Sequence, residues 1–187
     1  MSATNRGSKR KMQDNYPTPL NTIETFLNTY ELDKNGVILE PCAGNGNFVK
    51  ALRNKGYKNK IIANEIRSEE TANLIKSGAD VITHEDFLKT DCVYDNVSTI
   101  ITNPPYSLAK EFLEKCFELY PDADIIMLLR LAFLESKVRY DFWQRYPVNK
   151  LYVLSSRPKF INNKTDATAY AFFVWDGSDK QEIRVIK

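Results

Sequence analysis

The 187-residue sequence predicts an α/β fold, a mostly parallel seven-stranded sheet with helices on both faces and an antiparallel last strand. Seven short apolar runs carry the strand signal. Helical patterns separate most of them, and that alternation builds a parallel sheet from crossover units. The last connection differs: residues 156–168 are polar and lack helical spacing, so the sixth and seventh runs pair antiparallel.

Residues 1–15 are polar, basic and aperiodic, and read as a disordered arm; residues 16–187 read as one domain. Ile23, Phe26, Leu27 and Tyr30 recur at helical spacing and predict a short amphipathic helix. The apolar runs then follow at Val37-Leu39, Ile61-Ala63, Val81-Ile82, Thr99-Ile101, Ile125-Leu129, Leu151-Leu154 and Ala169-Trp175. The clearest helix lies between the fourth and fifth, where Leu108, Phe112, Leu113, Cys116, Phe117 and Tyr120 share a face.

Composition narrows the function. Hydrophobic content of 43% and charged content of 27% are ordinary for a soluble globular domain. No apolar stretch reaches the length of a membrane span and no signal peptide opens the chain, so a cytoplasmic protein is expected. Cys42, Cys92 and Cys116 lack metal-ligand spacing and His84 is the single histidine, so no metal is expected. The net charge of +2 is unevenly spread. Residues 65–95 hold eight acids against three bases; residues 130–164 hold eight bases against two acids. Lys9, Arg10, Lys11, Arg139, Arg157, Lys159 and Lys164 are candidates for contact with a polyanion.

Three successive strand ends carry groups suited to an adenosine. Glu40-Pro41-Cys42-Ala43-Gly44-Asn45-Gly46-Asn47-Phe48 follows the first strand and opens a helix. Gly44 and Gly46 permit a tight turn and close approach of a ligand to the backbone. Val49 stands where a dinucleotide fingerprint has its third glycine. The second run ends at Glu65, an acid placed to accept hydrogen bonds from ribose hydroxyls. The third leads to Asp86 and Phe87, a carboxylate and a ring that suit adenine's amino group and face.

The fourth run stops at Asn103-Pro104-Pro105-Tyr106, because two prolines cannot continue a ladder. The stop offers an amide, a carbonyl and an aromatic ring together. Acceptors beside a flat apolar face suit an amino group on a planar conjugated system, a nucleobase or an amide. Ligands of open parallel sheets sit beyond the strands' carboxyl ends at the switch in strand order, usually between the first and fourth strands. The glycine turn and Asn103 are therefore expected at one crevice.

On these motifs, in this order, the chain resembles the class I S-adenosylmethionine-dependent methyltransferases. More narrowly it resembles DNA adenine-N6 methyltransferases, especially small phage-type members without a separate target-recognition domain. The likeness runs from Tyr16 to Gly177. It implies a Rossmann-like fold, S-adenosylmethionine as cofactor and methylation of adenine N6 in double-stranded DNA by base flipping, in a prokaryotic or phage-infected cell. Tyr16, Thr18 and Pro19 match a segment holding the methionine end of the cofactor. Glu40, Cys42, Gly44 and Gly46 match the glycine-turn motif, Glu65 the ribose acid, and Asp86 with Phe87 the adenine pair. Asn103, shared with the cofactor site, and Pro104 match the acceptors of the amino hydrogens. Pro105 and Tyr106 match the wall against the target base, and Arg157, Lys159 and Phe160 a later target-side motif, with Lys164 nearby. The alternatives are an RNA adenine or a protein glutamine as acceptor, and a module that binds cofactor or nucleic acid without turnover.

Overall fold

The computed structural model describes residues 17–160 and 167–187. The basic arm, Tyr16 and Lys164 lie outside the described residues. The chain runs α1 (Leu20–Leu27), β1 (Val37–Glu40), α2 (Asn47–Asn54), β2 (Ile61–Asn64), α3 (Thr71–Ser77), β3 (Val81–Thr83) and β4 (Val97–Thr102). It continues through α4 (Ala109–Leu119), β5 (Asp124–Arg130), α5 (Tyr140–Arg145), β6 (Lys150–Leu154), β7 (Tyr170–Trp175) and β8 (Glu182–Ile186).

The strands form one sheet in the order β3-β2-β1-β4-β5-β7-β6-β8. The first five pair in parallel, and β7 runs antiparallel between β5 and β6. The expected seven strands are thus eight among the described residues. The addition, β8, pairs in parallel with the outer side of β6. Its sequence alternates charged and apolar residues, and Ile183 and Val185 stay exposed at the sheet edge while Ile186 is buried. It therefore lacks the continuous apolar run that marks the central strands.

Side chains alternate across the sheet and feed two cores. Ile38 joins Ile23, Phe26, Phe48 and Leu52 under α1 and α2, whereas Leu39 joins Phe112, Leu113 and Cys116 under α4. Burial of these faces supplies the main stabilisation, roughly 1.5–3 kcal/mol for each large apolar side chain. The strand order reverses between β1 and β4, so their carboxyl ends form the crevice.

Candidate active site

A cavity of about 1030 Å³ opens at that switch. Its lining joins the glycine turn after β1, the ends of β2 to β5, and the segment before α1. Gly44 and Asn103, on neighbouring strand ends, line the same space.

The strand ends are tied to one another before any ligand enters. Thr18 is buried, and its Oγ1 accepts a hydrogen bond of 3.0 Å from Asn103 Nδ2. Its carbonyl accepts one of 2.8 Å from Asn47 Nδ2, at the start of α2. Thr18 thus bridges the Asn-Pro-Pro-Tyr turn and the glycine turn, and the bond turns the Asn103 amide so that its nitrogen faces Thr18. Pro19 lies behind, where its carbonyl accepts from Thr22 and caps α1.

The two glycines have different tasks. Gly44 has φ of +52° and lines the cavity, and an added Cβ would meet no atom within 4 Å. Gly46 has φ of +82°, and its Cβ would sit 2.6 Å from Ser77 Oγ on α3. Gly44 keeps the cavity wall low; Gly46 allows α2 and α3 to approach.

Glu65 is buried, with Oε2 accepting from Gly44 N at 2.7 Å and Oε1 from Arg67 N and Nε at 3.1 and 2.9 Å. Glu65, expected from the sequence to be the ribose acid, is therefore held against the glycine turn. His84 completes the brace, one ring nitrogen 2.7 Å from the Glu65 carbonyl and the other 2.9 Å from Thr71 Oγ1. Asp86 lies at the rim, its carboxyl held below the usual range by the Lys89 ammonium 2.8 Å away. Phe87 lines the cavity while its ring stacks on Phe112 at 5.5 Å, so it serves the core as well.

Glu40 is 1% exposed, and its Oε2 is buried without a hydrogen-bond partner among the described residues. Burial, reinforced by the nearby Glu65 charge, raises its carboxyl well above the usual range. Cys42 also lines the cavity, and burial pushes its thiol up, which leaves it a space-filling group rather than a nucleophile. Because the raised acid ionises earlier in the unfolded chain, stability falls as pH rises from the ordinary carboxylate range toward the folded value. Glu40→Gln is therefore expected to raise stability at pH 7 and to flatten that pH slope. Urea midpoints measured from pH 4 to 8 check it.

Of the residues expected to meet a target base, Pro105 and Tyr106 line the cavity, and Pro104 between Asn103 and Pro105 is buried. Burial raises the Tyr106 hydroxyl well above the usual phenol range, so it stays protonated. The Arg130 guanidinium lies 4.8 Å from the Tyr106 ring centre. Tyr106 and Phe160 both pack on Tyr170, at 5.6 and 5.1 Å, so Phe160 stands one ring away from the cavity wall. Arg157 and Lys159 are exposed and are not among the lining residues.

Sequence reasoning missed several contributors. Asn47, Arg67, Phe112, Arg130 and Phe133 line the cavity. Arg139, read as a phosphate contact, turns inward: it donates to the carbonyls of Phe133 (2.9 Å), Ala132 (3.2 Å) and Glu135. Only tertiary contact reveals these, because an isolated Arg has no local signature. Among the described residues no cluster of three or more His, Cys, Asp or Glu could hold a metal, and no helix is long and apolar enough to cross a membrane.

The chain is similar to known methyltransferases. Over 113 residues it is 34% identical to the ribosomal RNA small subunit methyltransferase A of Mycoplasma mobile, a match covering 59% of this chain and 43% of the relative. The chain thus matches under half the length of that relative. A solved dimethyladenosine transferase from Plasmodium falciparum aligns with a TM-score of 0.60 at 17% identity, over 84% of this chain and 61% of that one. A protein from Vibrio vulnificus YJ016, assigned as a modification subunit of a type I restriction enzyme, aligns with a TM-score of 0.63 at 16% identity, over 87% and 45%. The fold is that of the class I methyltransferases. No protein-family model matches the chain.

Enzymes of this class use S-adenosylmethionine, and the cavity fits it. The buried Oε2 of Glu40 lacks a partner and suits an ammonium, Gly44 leaves room for close approach, and Glu65 and Asp86 present acceptors in succession.

Proposed function

We propose that this chain is an S-adenosylmethionine-dependent methyltransferase acting on the N6 amino group of adenine in DNA. The observation that carries this reading is the meeting of Asn103, Tyr106 and the glycine turn in one cavity. Bound there, the cofactor supplies a methyl group on a sulfonium leaving group. Tyr16, Thr18, Glu40, Gly44, Glu65, Asp86 and Phe87 are assigned to holding it. The Asn103 side-chain oxygen and the Pro104 carbonyl accept the two amino hydrogens of the target. Adenine's amino lone pair is delocalised into the ring, and these bonds favour the tetrahedral nitrogen that attacks. This is stabilisation of developing charge by dipoles already in place. Tyr106 stacks on the base, an interaction of about 1–3 kcal/mol in single-stranded sites, comparable with the few kcal/mol that unstacking costs.

The preference for DNA rests on the resemblance at Tyr16-Pro17-Thr18-Pro19 and Arg157-Pro158-Lys159-Phe160. RNA is the second reading, favoured by the 34% identical relative named for ribosomal RNA. Incubation with labelled cofactor and, in parallel, adenine-containing DNA, ribosomal RNA and protein extract separates them. Label in DNA as N6-methyladenine is expected. Label in RNA alone favours the second reading, and label in protein alone removes nucleic acid from the account.

A further inference from the structure

The segment after β5 forms two short 3-10 turns, Leu131–Leu134 and Lys137–Arg139, before α5 begins at Tyr140. Its inner side belongs to the cavity, which Ala132, Phe133 and Arg139 line. Its outer side carries large apolar groups in solvent: Val138 is 87% exposed, Tyr140 62% and Leu134 40%. Nothing in the proposed chemistry uses them.

The segment is braced. Arg139 clasps the carbonyls of Ala132, Phe133 and Glu135, and its guanidinium lies 4.9 Å from the Phe133 ring centre. Ser136 Oγ accepts from Val138 N and starts the second turn. Exposed apolar side chains are thus held on a stiff support at the cavity mouth.

Charge selects the partner. Residues 130–145, which contain this segment, carry Arg130, Lys137, Arg139 and Arg145 against Glu135 and Asp141, and Lys137, beside Val138, is exposed. A polyanion is drawn to this side. Apolar side chains flanked by bases suit a base stack, where proteins insert wedges that unstack neighbouring base pairs.

We infer that Val138 and Tyr140 form an apolar wedge that opens double-stranded DNA beside the target adenine and fills the gap when the base leaves the stack. This rests on the adenine-methyltransferase reading and deepens it by assigning the element that makes a duplex accessible. Val138 and Tyr140 are positioning residues, since they touch neither the cofactor nor the reacting nitrogen.

The test compares methylation of one target sequence as duplex DNA, as single strand, and as duplex with a mismatch at the target adenine. Val138→Ala combined with Tyr140→Ala is expected to lower the duplex-to-single-strand ratio of kcat/KM at least tenfold. The mismatch restores it, because a mispaired base is already loosened. Val138→Leu retains the ratio. With 2-aminopurine at the target position, the double variant loses the fluorescence rise that reports an extruded base. An unchanged ratio in the double variant overturns the wedge while leaving the adenine reading intact. So does unmodified duplex with the natural protein, if single strands are methylated. Absence of methylation by the natural protein on every DNA form overturns the adenine-in-DNA reading, and the wedge with it.

Discussion

Asn103→Ala is expected to lower kcat about 10²–10³-fold, the cost typical of removing one preorganised hydrogen-bonding group from a developing charge. It is also expected to weaken cofactor binding about two- to tenfold, since one net hydrogen bond contributes about 0.5–1.5 kcal/mol. The motif alone suggests that Asn103 serves the acceptor and leaves cofactor affinity intact. The 3.0 Å bond to Thr18 changes that expectation, because Thr18 also holds Asn47 beside the glycine turn. Thr18→Val separates the two tasks: it removes the acceptor for Asn103 Nδ2 but keeps the amide, so cofactor affinity falls while kcat drops less than about tenfold. Calorimetry of cofactor binding and single-turnover methyl transfer on both variants measure the split. If Asn103→Ala kept its rate while Thr18→Val lost it, Asn103 would be a strut rather than a catalytic group.

Gly46→Ala is expected to destabilise the fold by about 2–5 kcal/mol. Left-handed backbone costs a non-glycine residue about 1–2 kcal/mol, and overpacking adds about 1–3 kcal/mol. The clash is with Ser77, which cannot swing away cheaply because it is buried and its Oγ donates to the Leu74 carbonyl at 2.7 Å. For a chain of this size that lowers Tm by about 5–20 °C. Gly44→Ala carries the backbone strain without the clash, so its loss is about 1–2 kcal/mol. Its larger effect falls on cofactor affinity, because an added Cβ would meet no protein atom within 4 Å while the residue lines the cavity. Thermal scans without cofactor, set against cofactor titrations, distinguish the two glycines. Equal Tm losses would contradict the assignment of Gly46 to helix packing.

Much of the architecture was legible because buried parallel strands are written as local apolar runs. β1, β2, β4, β5 and β7 are apolar over most of their length, and each was found within a residue or two. The short β3 was legible as the two-residue apolar run Val81-Ile82. β8 was missed because an edge strand buries little: of its apolar residues only Ile186 is buried, and Arg184 and Glu182 pair with each other at the surface. The alternation Glu182-Ile183-Arg184-Val185, which ends where Ile186 follows, was the signal available. The site divides in the same way. Gly44, Glu65, Asp86 and Asn103 are found at strand ends because strand ends have a sequence signature. Arg139 and Tyr170 act through partners distant in the chain or through backbone carbonyls, which no local pattern encodes.

The amino-acid order alone determined the first seven strands, the two turn motifs and the chemistry they suit, since each depends on residues adjacent along the chain. Tertiary structure decided which neighbours those residues meet. It brought Thr18 between Asn103 and Asn47, set Gly46 against Ser77, and left Val138 and Tyr140 in solvent beside the cavity. The physical reason is range: backbone geometry and burial periodicity are local, whereas hydrogen bonds and packing join segments that only the closed sheet brings within a few ångströms.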